Sequence, residues 1–169
     1  MATTLVLEAR YGGGRLELTP VPHPHDAAAK RPAWQARLTG RGSAGHAVAG
    51  SRFDSVADTA HGLVAEMVCP ESPWEDQALH EFFDELYEER QGWDGEKSWV
   101  SQHEHLTLKA AHDYVNTVKL RIELRGIADP QWLAVVTLPV DPGVFHRIGA
   151  NAKLFGDQLL EGEPETESA

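Results

Sequence analysis

Histidine is the residue type in this chain that most readily suggests chemistry, and the sequence contains nine. His23 and His25 form one pair with a single residue between them, and His103 and His105 form another. On a strand this spacing places both rings on the same face. Zinc needs three or four ligands, so His112 would have to join His103 and His105 from elsewhere in the fold. This grouping defines one hypothesis, a histidine-dependent metal-binding hydrolase.

Other sequence patterns that often carry catalysis are not met. Cys69 is the only cysteine, which excludes an internal disulfide and a multi-cysteine zinc site, and with no basic neighbour we expect it to be a buried bystander. The stretch "GRGSAGHAVAG" lacks the Gly-x-Ser-x-Gly spacing of a nucleophile elbow. The stretch "YGGG" is followed by neither a helix nor Gly-Lys-Ser/Thr, so it does not predict a phosphate loop. The sequence therefore predicts no catalytic residue and no cofactor, and an enzyme is the less favoured class.

Two segments have the periodicity of amphipathic helices. The first spans about 73–91, where Ser72 and Glu75 match a capping box and Gly92 matches a helix C-terminus. Its apolar positions recur at helical spacing and comprise Leu79, Phe82, Phe83 and Leu86. The second spans about 142–155, with Asp141 as its cap and Gly156 as its end.

Alternating or continuous apolar runs predict strands elsewhere. Two hairpins are expected in the first third of the chain, one joining 4–9 to 14–20 and one joining 33–40 to 44–50. A proline-rich loop, 21–32, lies between them. Further strands are expected at 61–68, 96–102, 105–110, 117–125 and 131–140. The last of these is the most apolar and is expected to be central.

Short links between these strands, with only two helices, favour an α+β fold with a mainly antiparallel sheet. His112 and Asp113 lie in the link between two strands, where we expect a hairpin loop in which Asp113 hydrogen-bonds its own backbone. Trp93 follows the first helix and Trp99 begins a strand. We expect both tryptophans to have a structural role, buried where the helix meets the sheet.

The net charge of −11 limits the classes of partner. Four glutamates lie in the last nine residues, so we expect residues 1–156 to form one domain and 157–169 an acidic, disordered tail. An acidic surface repels phosphate backbones, which argues against nucleic-acid binding. No apolar run approaches a membrane span and no signal-peptide pattern is present, so a cytoplasmic protein is expected.

A resemblance to known proteins is carried by the string "FFDEL…GWDGEKSWVS…LTLKAAHD…VKLRIEL…DPGVFHRI". Over about residues 61–156 the sequence resembles an uncharacterised actinobacterial family of small α+β proteins, a domain of unknown function. That resemblance implies a helix, a Trp-rich link, a strand hairpin and a final helix, and it supplies no catalytic residue. Compact acidic form also makes the chain similar to immunity proteins that neutralise polymorphic toxins.

The favoured hypothesis is a non-enzymatic binding protein that neutralises or regulates a protein partner, most concretely an immunity-type protein that blocks a basic toxin. The acidic face of the first helix would bind that partner, and its residues are Asp84, Glu85, Glu88 and Glu89. Two alternatives stay open: the metal-binding hydrolase, and a structural or regulatory subunit that self-associates as a homo-oligomer.

Overall fold

The computed structural model describes residues 3–22, 33–45, 54–59, 62–69, 77–126 and 131–161. It confirms an α+β fold with antiparallel strand pairing and two main helices. The strands form two five-stranded sheets rather than a single one. In most of the strands, residues at alternating positions contribute to one shared apolar core, which accounts for the alternating patterns in the sequence.

The first sheet has the strand order β1-β2-β3-β6-β5. The bounds of its strands are β1 Leu5–Glu8, β2 Gly14–Pro20, β3 Trp34–Gly40, β5 Asp54–Thr59 and β6 Gly62–Cys69. The predicted hairpin of β1 and β2 is present, with Leu7 opposite Leu16. Strand β3 pairs with β2 on one side and with β6 on the other, where Leu38 is opposite Ala65.

The second sheet has the strand order β4-β10-β9-β8-β7. The bounds of its strands are β4 Gly42–Gly45, β7 Glu96–Val100, β8 Leu106–His112, β9 Val118–Gly126 and β10 Trp132–Val140. As predicted, β10 is an interior strand, since it lies between β4 and β9. The four later strands of this sheet are neighbours in sequence order, so their pairing is local.

The predicted hairpin of 33–40 with 44–50 is wrong. Gly40 ends β3 in the first sheet, and Gly42 begins β4, which pairs with β10 in the second sheet. Gly40 has a φ of 151°, and a Cβ there would lie 3.0 Å from the Gly13 carbonyl oxygen and 2.9 Å from a Val136 methyl group. Because glycine has no side chain, the chain can cross here from the first sheet to the second, although the two sheets lie close together. Residues 46–50 lie outside the described residues.

The first helix, α1, comprises Leu79–Glu88 and is shorter than predicted. Ala78 is extended, with ψ of 143°, so a helix beginning at residue 73 cannot run through it. The Glu81 carboxylate accepts a hydrogen bond from the Ala78 N–H at 3.0 Å, which satisfies one exposed backbone donor at this end. The predicted cap, Ser72, and Glu75 lie outside the described residues.

The second helix, α2, comprises Phe145–Glu161 and follows a 3-10 turn, Pro142–Val144. The Asp141 side chain accepts from the Gly143 N–H at 2.8 Å, in agreement with its predicted capping role. The predicted end at Gly156 is wrong, because Gly156 is buried within the helix and Leu159 is buried one turn later. Residues 157–161 are therefore helical and do not belong to the predicted tail, and 162–169 lie outside the described residues.

The two helices pack against each other and against both sheets. Phe83 of α1 stacks on Phe145 of α2 with ring centroids 6.0 Å apart. Trp93 and Trp99 are buried where α1 meets β7, as predicted. The Trp99 indole N–H donates to the Gln77 carbonyl oxygen at 2.8 Å, so this ring also anchors the chain that enters α1.

Candidate protein-binding surface

His112 fastens the β8–β9 loop to the end of α1. Its Nδ1 accepts a hydrogen bond from the Tyr114 backbone N–H at 2.8 Å, so the ring proton is on Nε2. Nε2 then donates to the Arg90 carbonyl oxygen at 3.0 Å. The ring also meets Trp93 edge to face, with centroids 5.1 Å apart. His112 is thus a structural clamp, and both of its nitrogens are occupied by protein groups.

The loop itself is a tightly bonded turn. One Asp113 carboxylate oxygen accepts from the Val115 N–H at 2.8 Å and from the Thr117 N–H at 2.9 Å, which confirms the predicted bonding of Asp113 to its own backbone. Tyr114 and Asn116 have φ of 60° and 79°, in the left-handed region that residues other than glycine rarely adopt. Such backbone persists when surrounding bonds hold it in place.

The hydrogen bonds that the Asp113 carboxylate accepts predict that it titrates at a lowered pH. Hydrogen bonds from the Val115 and Thr117 N–H groups favour the ionised form and hold the pKa of this carboxyl below its ordinary value of 3.8. Because this pKa is lowered in the folded loop, the ionised Asp113 stabilises the folded state above the ordinary pKa of aspartate. That stabilisation is lost as the pH falls through the folded pKa. We expect the amide proton shifts of Val115 and Thr117 to titrate together, with a midpoint below 3.8.

The matched control is Asp113→Asn, which should remove this shared step from both amide signals. A midpoint at or above 3.8, or separate midpoints for the two amides, would contradict the bonding described.

Tyr114 and Val115 project from this loop, with 60% and 80% of their surface exposed. The Tyr114 hydroxyl donates a hydrogen bond to the Asp94 carboxylate, which raises the pKa of Tyr114. Gly92, with φ of 137°, lies under the ring, and a Cβ there would come within 2.8 Å of it. An aromatic ring and a valine are therefore presented to solvent in a fixed orientation. Sequence reasoning missed this pair, because their exposure depends on loop geometry.

A cleft of about 390 Å³ adjoins the loop. It lies between the end of α1, the β8–β9 loop and the 3-10 turn, and its walls include Arg90, Tyr114, Asn116, Asp141 and Pro142. A cleft of this size accepts one or two side chains of a partner.

The predicted acidic residues of α1 have different surroundings. The Lys97 ammonium lies 2.5 Å from a Glu85 carboxylate oxygen and 3.0 Å from a Glu89 oxygen, which ties β7 to α1. The hydrogen bond from Lys97 lowers the pKa of Glu85, and the same bond raises the pKa of Lys97. Asp84 lies beside Gly149 of α2 but stays exposed, as does Glu88. Only part of the predicted charge is thus open to a partner.

The structure does not bring the three candidate metal-binding histidines together. His103 and His105 lie in the loop before β8, with ring centroids 6.2 Å apart, whereas His112 ends that strand. A seven-residue strand separates the two positions by roughly 20 Å. Within the described ranges no three His, Cys, Asp or Glu side chains are placed to hold a metal ion. Cys69 is buried, as expected, and His23 and His25 lie outside those ranges.

Fold and site define a small α+β protein whose two sheets and helix pair present a rigid, partly apolar loop beside carboxylates. The chain belongs to the family of unknown function DUF6228, whose model matches residues 37–158. This confirms the predicted resemblance to an uncharacterised family, over a range that contains 61–156. No curated protein and no solved structure matches the chain. None of the described helices is long and apolar enough to cross a membrane.

Proposed function

We propose that this protein acts without catalysis, by binding a basic protein partner. The contact surface consists of Tyr114 and Val115, with Asp94 beside them and Glu88 and Glu89 at the end of α1. We call this the Tyr114 surface. The observation that carries the proposal is the fixed exposure of Tyr114 and Val115 in a loop bonded at Asp113, His112 and Asp94.

The apolar part of this surface supplies binding energy. Burying an exposed aromatic ring and a valine removes apolar area from water, and aromatic residues are enriched among those that dominate binding energy. Because the β8–β9 loop is already ordered before binding, little of that binding energy is lost in fixing the conformation of the loop. The neighbouring cleft gives a partner side chain a place to insert next to the ring.

The charged part of the surface selects the partner. Residues 81–97 contain seven carboxylates and two cations. Lys97 offsets charge at Glu85 and Glu89, while Asp84 and Glu88 stay exposed. Such an excess of negative charge attracts basic partners, speeds their encounter and disfavours acidic ones. An immunity-type protein that neutralises a basic toxin is one form of this function.

Photo-crosslinking tests the proposal in the native host. A benzoylphenylalanine at position 115, in place of Val115, should form an adduct with a distinct basic polypeptide. The matched control carries the same group in place of Leu154, which is 54% exposed on α2, and should not form that adduct. Identical adducts from both positions would contradict the Tyr114 surface. Adducts only with a second copy of this chain would instead favour the self-associating subunit.

A further inference from the structure

A second cleft, of about 720 Å³, lies around the turn between β1 and β2. Three arginines line it, Arg10, Arg15 and Arg41, together with Gly13 and Thr39. We call it the arginine cleft. Its volume is within the range of small-molecule sites, and its cationic lining contrasts with the net charge of −11 on the whole chain.

Backbone hydrogen bonds anchor the main chain at two of these arginines. The Arg10 N–H donates to the Pro139 carbonyl oxygen at 2.8 Å, which anchors the turn to β10 in the second sheet. The Arg41 N–H donates to the Gly13 carbonyl oxygen at 3.2 Å, at the point where the chain passes between sheets. Both arginines therefore line the cleft from main chain that is anchored at the same turn.

The arginines differ in whether a carboxylate already neutralises them. Arg15 lies 2.9 Å from a Glu8 oxygen and 2.6 Å from a Glu17 oxygen. Arg10 and Arg41 have no carboxylate partner among the residues that the structure describes, although acidic residues outnumber basic ones by 26 to 15. Glu8 also lines the cleft, but its charge is engaged by Arg15. The Arg10 guanidinium also lies over the Tyr11 ring, 5.3 Å from its centroid, a contact that does not neutralise its charge. Two guanidinium groups at this turn thus keep their charge and can bind an anion.

The glycines of the turn leave its backbone open. Gly12 and Gly13 have φ of 75° and 94°, and a Cβ at either would meet no atom within 4 Å. An anion can therefore approach the main chain here without displacing a side chain. The sequence "YGGG" lacks the helix of a phosphate loop, and in this fold the positive charge comes from the flanking arginines instead.

We propose that the arginine cleft binds a small phosphate-bearing molecule. Guanidinium groups bind phosphate through paired, parallel N–H bonds, and Arg10 and Arg41 line the same cleft, so both can contribute to binding one phosphate or two linked phosphates. This inference is independent of the Tyr114 surface, since neither residue belongs to that surface.

Titration calorimetry of the full chain with inorganic pyrophosphate, at about 0.15 M salt, tests the inference. We expect saturable binding that Arg10→Ala and Arg41→Ala each weaken by at least about tenfold. Arg41→Lys should lie between, because lysine keeps the charge and loses the paired bonds. The charge-matched control, Arg125→Ala, changes an exposed arginine of β9 and should leave affinity within about twofold.

Absence of saturable binding would overturn the inference, as would equal weakening by Arg125→Ala, which would indicate general attraction of anions. Binding to vesicles that contain phosphatidic acid, without binding of free pyrophosphate, would also overturn it in favour of a lipid headgroup. The folding of each variant is checked by its unfolding temperature, so that a lost fold is not read as a lost site.

Discussion

Replacing Phe83 with alanine is expected to lower the free energy of unfolding by about 4 kcal/mol. Phe83 is fully buried in α1, meets Phe82 edge to face and stacks on Phe145 of α2. Truncation removes apolar area from the core and leaves a cavity between two helices that cannot close fully over it. Because α1 carries the end to which the β8–β9 loop is fastened, the same cavity should loosen the Tyr114 surface.

Denaturant unfolding measures this loss of stability, and thermal unfolding should show a Tm lowered by about 10 °C. Leu154→Ala is the matched control: it also removes an apolar helix side chain, but one that is 54% exposed, so its effect should stay within about 0.5 kcal/mol. Should Phe83→Ala fail to fold, Phe83→Leu gives a smaller, measurable loss. A loss from Phe83→Ala no larger than that from Leu154→Ala would contradict the packing of α1 on α2.

Sequence periodicity predicted the helical faces because they depend on local spacing. Leu79, Phe82, Phe83 and Leu86 are all buried, as their spacing required. The helix ends were less predictable. Glycine is common just after the end of a helix, but Gly156 is buried inside α2. Burial of Leu159 then supports a further turn that the glycine alone does not predict.

Alternation predicted strands well but not their partners. The strands β8 and β9 follow one another in the chain and in the sheet, so the short link between them was enough to predict their hairpin. By contrast, β3 pairs with β6, and β4 pairs with β10, across long stretches of sequence. Alternation shows only that one face of a strand is buried, and it is silent about which sheet covers that face. The passage at Gly40 therefore had no local signal.

The candidate site was only partly predictable for a similar reason. Asp113 was recognised as a turn residue because aspartate bonds its own backbone in many loops. His112 was assigned to a metal hypothesis from its residue type, but its ring is held between Tyr114 and Arg90, which only the fold brings together. The positive φ of Tyr114, a residue that rarely adopts it, has no signature in the sequence.

The Tyr114 surface combines exposed apolar side chains with carboxylates that Lys97 partly neutralises. Substitutions in these two parts are therefore expected to change the affinity for a partner in opposite directions. Removing the Tyr114 ring should weaken partner binding through lost apolar contact. Removing the Lys97 ammonium should strengthen binding to a basic partner, because Glu85 and Glu89 would no longer share its charge. A purely structural role for both residues predicts that neither change affects affinity in a fold that stays intact.

Tyr114→Asn is accordingly expected to lower the affinity for the partner captured at position 115 by about 30-fold, a loss typical of a central aromatic contact. Asparagine tolerates the φ of 60° at this position, so the loop should keep its backbone while it loses the ring. Tyr114→Phe keeps the ring and should lose less, whereas Lys97→Met should increase affinity by a few fold at low salt. Affinities are measured by calorimetry at two salt concentrations. If Tyr114→Asn binds as tightly as the unmodified chain, the exposed ring is not the contact and the Tyr114 surface must be abandoned.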